Sequence, residues 1–270
     1  MALRLWRRSA WSFVLLLTLA GSAQAAEGSP PPDGARFPYL VVVDLKDVLG
    51  APLAWRAPQW ERFSLAVAGV GAAALLDGEV RDAERRDHNP TADRIADAFE
   101  PLGSFGAFGV LGTWYLVGLV RDDEQARSVA EDGLLASVIA DGFITPALKY
   151  AVGRRRPRNT DQTFDVSTFS RNSSFPSGHT TEAFAVASVI ASQSDAVWVK
   201  GVAYSSAALV GFARIHHQAH FLSDVTAGAL IGTAVGRAVV HRNDAERRRF
   251  SLAPLVGPRN QPGLAVALSF

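Results

Sequence analysis

Residues 172–184, NSSFPSGHTTEAF, place a Pro-Ser-Gly-His turn at the start of an apolar run that resembles a helix in composition. Pro176 interrupts regular structure and Ser177 is a preferred N-cap residue, so a helix is predicted to begin directly after Ser177. His179 then lies in the first turn of that helix. Two interpretations are open at this point. His179 is an ordinary first-turn residue, or it joins the free backbone N–H groups and the Ser177 hydroxyl in an anion site.

Apolar segments of helical length surround this stretch and predict the fold. The uncharged runs cover residues 63–76, 101–120, 183–194, 201–213 and 225–236. Only the second of these runs reaches the ~20 residues that a membrane span needs, and its repeated glycines suit close helix packing as well as lipid. The pattern therefore favours a compact all-α helical bundle over residues 59–245, with an integral membrane protein as the alternative.

Three glycines mark one helix of this bundle. Gly228, Gly232 and Gly236 recur every four residues in the segment from residue 223 to about residue 241. Residues with this spacing lie on one face of a helix, where they leave room for the backbone of a neighbouring helix. A second helix is predicted over residues 122–150, because its first residues, DDEQ, are acidic and have the spacing of a capping box.

The N-terminal residues 1–25 have the composition of a secretory signal peptide. A basic start with three arginines precedes the apolar run 11–20, and the small residues of the AQA sequence at 23–25 provide a cleavage site. An uncleaved membrane anchor is the alternative, although the apolar run is short for a span. The protein is therefore expected to be exported to the periplasm of a bacterium. Residues 26–58 are expected to form a linker and an irregular segment.

The C-terminal residues 246–270 are predicted to form a short β-hairpin. The segments FSLAPLV and LAVALSF lie on either side of the turn-rich GPRNQPG, and larger apolar residues alternate with smaller ones. A terminal Phe is also typical of the last strand of an outer-membrane barrel, but two strands cannot close a barrel. The expected architecture is therefore an all-α bundle followed by a hairpin.

Length and composition limit the functions that the chain can have. The 270 residues are 48% hydrophobic and carry a formal net charge of +1, which fits one globular domain with a sizeable core. Removal of the three signal-peptide arginines changes the net charge to −2, so no nucleic-acid partner is expected for this nearly neutral chain. The sequence has no cysteine, which excludes disulfide bonds and thiolate metal sites.

Basic residues precede the opening stretch. Lys149 is followed after six residues by Arg156 and a proline, at the end of a predicted helix. Cations are favoured at helix C-termini, so this run alone indicates no function. The neighbouring arginines Arg154, Arg155 and Arg158 are expected to face solvent.

A histidine and an aspartate follow the opening stretch. Arg214, His220 and Asp224 are separated by five and three residues. If the chain is helical from His220, Asp224 lies one turn along the same face. A carboxylate there can accept the N–H of one imidazole nitrogen and leave the lone pair of the other free, as a nucleophilic histidine requires. The alternative is an ordinary surface hydrogen bond.

A zinc site is a further alternative for the sequence HHQAH. His216 and His220 are four residues apart, as in a zinc-binding helix, but His217 stands where a zinc protease carries its catalytic Glu. Apart from Asp224, no carboxylate cluster or cysteine follows. The sequence therefore favours a site without metal.

Together, the three segments resemble the three-part signature of the type 2 phosphatidic acid phosphatase (PAP2) superfamily, which also contains bacterial acid phosphatases and vanadium haloperoxidases. The resemblance covers residues 149–224 and implies the helical bundle of that family. One position departs from the signature, because Ala213 stands where the family usually has a serine before the arginine. That serine is not a main catalytic group of the family.

The resemblance also implies the role of each residue. His220 attacks phosphorus to give a phosphohistidine, Asp224 orients His220, and His179 protonates the leaving oxygen and then activates water. The expected phosphate-binding residues are Lys149, Arg156, Ser177, Gly178 and Arg214. Positive charge from the lysine and the arginines replaces the metal ion of other phosphatases, so neither a metal nor a cofactor is expected.

The expected function is that of an exported, metal-independent phosphatase. Its substrates are expected to be phosphate monoesters or diphosphates, with lipid-linked ones first, and association with a membrane surface is compatible with this expectation. Two alternatives stay open, a vanadium haloperoxidase that uses the same anion site and a non-catalytic envelope protein.

Overall fold

The computed structural model describes residues 33–86, 89–256 and 262–268. These residues are almost entirely helical, which confirms the predicted all-α class. The predicted signal peptide, residues 1–25, lies outside the described residues. Two compact units make up the chain, the first ending at Ala54 and the second starting at Trp55.

The first unit contains helix α1 (Asp33–Gly50), which is followed by a 3-10 helix at Ala51–Ala54. The expectation of an irregular segment over residues 26–58 is therefore wrong for residues 33–54. The Pro- and Gly-rich sequence gives way to residues 39–49, in which only Asp44, Lys46 and Asp47 are charged and the other residues are apolar.

The second unit is a helical bundle. Its described helices are α2 (Ala57–Arg86), α3 (Pro90–Phe99), α4 (Phe105–Arg121), α5 (Glu124–Ser137), α6 (Thr145–Val152), α7 (Gly178–Ser192), α8 (Val197–His216) and α9 (Leu222–Arg249). Shorter helical turns lie between some of them, a 3-10 helix at Glu100–Gly103, a π-helix at Val138–Ile144 and a 3-10 helix at Pro157–Asn159.

Helix α7, which begins inside the opening stretch of the sequence, packs on several sides. Ala183 and Ala187 form one core cluster with Ala207 and Val210 of α8. Another face places Val186 in a second cluster with residues of α4. A helix that is buried on several faces has to be apolar nearly all round, which accounts for the uncharged run 183–194. This burial fixes the position of the first turn of α7, where His179 lies.

The glycines of α9 lie against α7, as the sequence predicts. A Cβ atom added at Gly228, Gly232 or Gly236 would come within 2.6, 2.2 and 2.0 Å of atoms of α7 or of the Ser177 residue before it. Such distances are shorter than any van der Waals contact, so only glycine permits this approach of the two helices. The packing holds the start of α9, with Asp224, close to the start of α7.

The predicted N-cap near residue 122 is also present. The side chain of Asp123 accepts hydrogen bonds from the backbone N–H groups of Gln125 and Ala126, at 2.9 and 3.1 Å. Helix α5 starts at Glu124, directly after Asp123. The chain stays helical through the π-helix Val138–Ile144 to the end of α6. One continuous helical stretch therefore carries Lys149 in its last turn.

Strands β1 (Phe250–Val256) and β2 (Pro262–Leu268) pair antiparallel at the C-terminus, as predicted. The hairpin begins later than expected, because α9 continues to Arg249 instead of ending near residue 245. Four of the eight residues 242–249 are arginines, which are good helix formers.

Two stretches are long and apolar enough to cross a membrane. They are α2, which contains an 18-residue window of mean hydropathy 1.5, and Glu124–Val152, with a value of 1.3. A third crossing results if Pro90–Gly103 and Phe105–Arg121, bent by 62°, form one span. The expectation that only residues 101–120 reach the length of a span is therefore wrong. Uncharged runs understate the length of a helix that continues past isolated charges.

The surface of α2 fits a lipid environment. Only 11% of its apolar window is buried, and the side chains of Leu65 and Leu75 are 72% and 81% exposed. Exposed apolar surface of this extent is typical of proteins that associate with a membrane or with another protein. The compact soluble bundle that the sequence favours over a membrane protein is therefore the weaker of the two interpretations.

Candidate active site

Helix ends and the loops between them carry every residue that the sequence predicts for the site. Lys149 lies in the last turn of α6, and Arg156 directly precedes the 3-10 helix Pro157–Asn159. Ser177 is the N-cap of α7, and Gly178 and His179 are its first two residues. The remaining predicted site residues lie at the end of α8, in the α8–α9 loop and at the start of α9, namely Arg214, His220 and Asp224.

The ammonium group of Lys149 holds the loop that leads into α7. Its Nζ atom donates hydrogen bonds to the carbonyl oxygens of Ser173 and Pro176, at 2.8 and 2.6 Å. An ammonium group has three N–H donors, so one donor remains for a ligand. Lys149 can therefore fix the loop and contact an anion at the same time.

Arg156 is only loosely tied to the protein. Its Nη2 atom donates one long hydrogen bond, of 3.3 Å, to the hydroxyl of Ser173. Both residues line a cavity of about 370 Å³, together with Arg155, Arg158, Asn159, Arg171 and Asn172. We call this cavity the basic pocket.

The first turn of α7 offers hydrogen-bond donors. Its backbone N–H groups have no acceptor within the helix. The hydroxyl of Ser177 is buried and accepts a hydrogen bond from Thr180 at 2.9 Å, which leaves its own proton for another acceptor. A Cβ atom added at Gly178 would lie 2.8 Å from Oδ1 of Asp141, so a larger residue would require that side chain to move.

His220 is held by a backbone carbonyl. Its Nδ1 atom lies 2.7 Å from the carbonyl oxygen of Ser174 and 3.8 Å from Oδ2 of Asp224. The second distance is too long for a hydrogen bond, so the proton on Nδ1 is donated to Ser174. The Nε2 lone pair is then free, as the sequence predicts, but the acceptor is Ser174 rather than Asp224. Because α9 begins only at Leu222, His220 and Asp224 do not share a helical turn.

Asp224 instead organises the surrounding backbone and loop. Its Oδ2 atom accepts hydrogen bonds from the hydroxyl of Ser174 at 2.5 Å and from the N–H of Phe221 at 2.9 Å. Its backbone carbonyl accepts the N–H of Ser177 at 3.0 Å. These contacts fix Ser174, and through the Ser174 carbonyl they fix His220. Asp224 therefore orients His220 indirectly.

Arg154 is buried, so the expectation that it faces solvent is wrong. Its guanidinium donates to Oδ1 of Asp224 at 2.6 Å, to Oδ2 of Asp77 at 2.8 Å and to the hydroxyl of Ser223 at 2.8 Å. The guanidinium also stacks over the ring of Phe221, 4.0 Å from its centroid. Two carboxylates and an aromatic face make burial of this cation tolerable. Arg155 and Arg158 are exposed, as expected.

Asp77 joins α2 to the site and was not singled out from the sequence. It is fully buried and accepts the backbone N–H of Ser223 at 2.9 Å and the hydroxyl of Ser223 at 2.6 Å. We call Asp77, Arg154, Ser174, Ser223 and Asp224 the buried network. A carboxylate directly after the apolar run 63–76 of α2 is the signal that could have indicated a special role for Asp77.

Arg214 is buried at the end of α8 and forms an ion pair with Glu100 through Nη1. Its Nε atom is buried without a hydrogen-bond partner among the described residues. A buried donor of this kind normally has a partner, so the Nε–H group can bind an anion that enters the site. The carbonyl of Arg214 also accepts the N–H of His220 at 3.1 Å, which ties the two residues together.

The predicted cationic residues of the site interact electrostatically with the two histidines and affect their pKa values. Burial lowers the pKa of His220 to about 4, and the charges of Lys149 and Arg214 act in the same direction, against Asp224. Burial also lowers the pKa of His179, where Arg156 and Lys149 add to the effect and Asp141 opposes it. Lys149 therefore acts on both imidazoles.

The pKa of Asp224 stays below its usual value. Burial would raise this pKa, but the interactions with His220, Arg154 and Ser174 outweigh burial. Asp224 is therefore an anion at neutral pH, and it neutralises part of the positive charge of the site.

His216 and His217 pair with acidic side chains. His216 lies 2.8 Å from both Glu84 and Asp93, and His217 lies 2.8 Å from Glu100. The zinc alternative requires His216 and His220 to meet at one ion. Within the residues that the structure describes, no group of three or more His, Asp or Glu side chains could hold a metal ion.

Comparison with known proteins identifies the region that carries the site. Residues 133–248 match the family model of the PAP2 superfamily, which confirms the resemblance. A lipid A 1-phosphatase of Porphyromonas gingivalis is 36% identical over 118 residues, which are 43% of this chain and 24% of that protein. The chain therefore spans about a quarter of the length of this curated relative.

Two solved structures are similar to the chain. One is LpxE of Aquifex aeolicus, with 26% identity, a TM-score of 0.49 and coverage of 62% of this chain and 95% of that one. The other is a transmembrane PAP2-type phosphatidylglycerolphosphate phosphatase of Bacillus subtilis, with 20% identity, a TM-score of 0.49 and coverage of 79% and 98%.

Proposed function

We propose that the protein, whose residues 133–248 match the family model of the PAP2 superfamily, is a phosphatase that works through a phosphohistidine. The observation that carries the proposal is the placement of cations around the two imidazoles. Lys149 and Arg156 act electrostatically on His179, and Lys149 and Arg214 act on His220. Positive charges that converge on two histidines fit a site for a phosphoryl group.

The phosphate group binds in what we call the phosphate cradle, formed by Lys149, Arg156, Arg214 and the first turn of α7. The remaining Nζ proton of Lys149, the fork of Arg156 and the Nε–H of Arg214 neutralise its oxygens. The Ser177 hydroxyl and the N–H groups of Gly178 and its neighbours add donors at the helix N-terminus. Glu100 shares Arg214 with the phosphate.

His220 is the nucleophile of the first step. Because its pKa is lowered to about 4, the imidazole is neutral at physiological pH. The hydrogen bond from Nδ1 to Ser174 directs the free Nε2 lone pair. Nε2 forms a bond to phosphorus while the bond from phosphorus to the leaving oxygen breaks, and the result is a phosphohistidine.

His179 is the acid of the first step and the base of the second. In the protein alone, burial and two cations lower its pKa. A bound phosphate brings negative charge that offsets Lys149 and Arg156, so substrate binding favours the protonated imidazole. The imidazolium donates its proton to the leaving oxygen, and the neutral form then accepts a proton from the attacking water.

The substrate is proposed to be a phosphate monoester or diphosphate on a lipid. Support comes from the helices that are long enough to cross a membrane and from the exposed apolar side chains of α2. The name of the curated relative, a lipid A 1-phosphatase, also refers to a phosphatase of a lipid. Export, with the site on the periplasmic side of the membrane, rests on the signal-peptide composition of residues 1–25.

Phosphate release by the purified full-length protein in neutral detergent tests the proposal. We expect release from a nitrophenyl ester and from a lipid phosphate, and inhibition by vanadate, which mimics the five-coordinate phosphorus. If no phosphate is released but bromide is oxidised with added vanadate and peroxide, the protein is a haloperoxidase instead. If neither activity is found, a non-catalytic role replaces the proposal.

Metal independence is a separate part of the proposal. Its support is that three cationic side chains supply the charge that a metal ion supplies in other phosphatases. We therefore expect the rate of phosphate release to be the same before and after incubation with EDTA. Loss of activity with EDTA and its recovery with a divalent ion would contradict this part and leave the phosphatase assignment intact.

A further inference from the structure

The basic pocket holds more positive charge than the transfer of one phosphoryl group needs. Four arginines line it, Arg155, Arg156, Arg158 and Arg171. Only Arg156 belongs to the phosphate cradle. Asp165 lies 3.4 Å from Arg155, and within the described part of the chain neither Arg158 nor Arg171 has a carboxylate within ion-pair distance. Guanidinium groups that are clustered without counter-charges repel one another and attract anions.

The walls of the pocket are fixed by backbone hydrogen bonds. The N–H of Arg155 donates to the carbonyl of Asp165 at 3.0 Å, and the N–H of Arg158 donates to the carbonyl of Gln218 at 3.1 Å. The side-chain amide of Asn172, which also lines the pocket, donates to the carbonyl of Gly153 at 3.3 Å. The backbone that carries the arginines is therefore held in place before a ligand enters, which lowers the entropic cost of binding.

The pocket is continuous with the phosphate cradle through two residues. Ser173 lines the pocket, its carbonyl accepts a hydrogen bond from Lys149, and its hydroxyl accepts one from Arg156. Arg156 itself lines the pocket and acts on His179. A group bound in the pocket would thus lie next to the phosphate that His220 attacks.

We infer that Arg155, Arg158 and Arg171 form a second anion subsite, which binds a second phosphate group of the substrate. The inference rests on the proposed phosphatase function, and it narrows the substrate class to molecules with two phosphates, a lipid diphosphate above all. His220 forms a bond to the terminal phosphorus, and the bond from that phosphorus to the bridging oxygen breaks. The electron pair stays on the bridging oxygen of the departing monophosphate, which the subsite arginines neutralise.

The test compares decyl diphosphate with decyl monophosphate in neutral detergent, for the wild type and for Arg158→Gln and Arg171→Gln. Each variant removes one charge that lies outside the phosphate cradle. We expect KM for the diphosphate to rise about tenfold in each variant, the effect of one charge-assisted hydrogen bond, with kcat nearly unchanged. The kinetics of the monophosphate should stay at the wild-type values.

The matched control is Arg237→Gln, another exposed arginine without a counter-charge in the described part of the chain. It lies fifteen residues after the start of α9, roughly 22 Å along the helix. It should leave both substrates unaffected. If Arg158→Gln and Arg171→Gln weaken both substrates equally, they only attract anions in general, and the subsite is refuted. A loss that appears only when anionic lipid is added would assign the arginines to neighbouring headgroups and also refute it.

Binding of inorganic pyrophosphate and orthophosphate, measured by calorimetry, separates this inference from the proposed function. We expect the wild type to bind pyrophosphate at least about tenfold more tightly than orthophosphate. The double variant Arg158→Gln/Arg171→Gln should bind the two anions with equal affinity. This preference without any turnover would refute the phosphatase and keep the subsite. Turnover of the monophosphate without the preference would refute the subsite and keep the phosphatase. Unchanged thermal unfolding of the variants shows that they are folded.

Discussion

Arg154 and Arg156 lie two residues apart on one loop, but they belong to two different regions. Arg154 is 5% exposed and is bound by Asp77 and Asp224 in the buried network. Arg156 opens into the basic pocket and makes only one long contact, to Ser173. The same residue type therefore supports structure in one region and remains available to a ligand in the other.

The two regions differ in their balance of charge. In the buried network one cation meets two carboxylates, and every group is satisfied by a protein partner. In the basic pocket, Asp165 is the one carboxylate among the described residues that lies within ion-pair distance of any of the four cations. Burial requires the first arrangement, because an unpaired charge inside a protein is very costly. The second arrangement is stable only where water or a ligand anion reaches the charges.

Replacement of Arg154 should give the largest effect on stability. Arg154→Met leaves Asp77 and Asp224 buried without their cation, which should lower the free energy of unfolding by about 3–5 kcal/mol. Thermal unfolding in detergent measures this loss. The double variant with Asp77→Asn should recover part of it, because one of the two unpaired carboxylates is then neutral.

The matched control in the basic pocket is Arg158→Met. This exposed side chain makes no ion pair with the described residues, so its removal should leave the unfolding temperature unchanged. Equal losses in Arg154→Met and Arg158→Met would break the distinction between the two regions.

Among the arginine replacements that leave the fold unchanged, replacement of Arg214 should lower the rate of hydrolysis most. Arg214→Lys keeps the charge but loses the Nε–H donor and the planar fork, so we expect kcat/KM to fall about 100-fold, or about 3 kcal/mol. Arg155→Lys, in the basic pocket, should have little effect on the hydrolysis of a monophosphate. Similar losses in the two variants would mean that Arg214 does not contact the transferred phosphate.

The stability of the folded protein should fall in acid, because the buried imidazole of His220 resists protonation. The folded pKa of His220 is about 4, below its ordinary value of 6.5. The unfolded chain therefore binds more protons, and stability is lost as the pH falls from about 6.5 towards 4. Between pH 7 and pH 5 the loss should be about 2 kcal/mol. His220→Gln should lose less stability over this range, and an equal loss would show that other groups, such as His179, cause the pH dependence.

The residues proposed for the phosphate cradle are indicated by the resemblance to the three-part signature of the PAP2 superfamily, whose motifs have a fixed spacing in the chain. The glycines of α9 likewise predict its close packing, because a helix face repeats every three to four residues. Both predictions use local patterns. Neither prediction requires knowing which residues from distant parts of the chain are in contact in the folded protein.

The buried network could not be predicted in this way. Nothing in the run Arg154-Arg155-Arg156 shows which arginine turns inward, since that depends on Asp77, which lies 77 residues earlier. The acceptor for His220 was also missed, because a backbone carbonyl such as that of Ser174 leaves no signal in the side-chain sequence. Uncharged runs also understate membrane-spanning length, because helix α2 continues past Asp77 to Arg86.

The most direct test compares the two histidines in the first turnover of a nitrophenyl phosphate. Nitrophenolate leaves without a proton, so His179→Ala should still release a burst of one nitrophenol per enzyme molecule, followed by slow turnover because the second step lacks its base. His220→Ala should show no burst, because it has no nucleophile. With an alkyl phosphate the burst of His179→Ala should vanish too. A burst from His220→Ala and none from His179→Ala would reverse the two roles and contradict the mechanism.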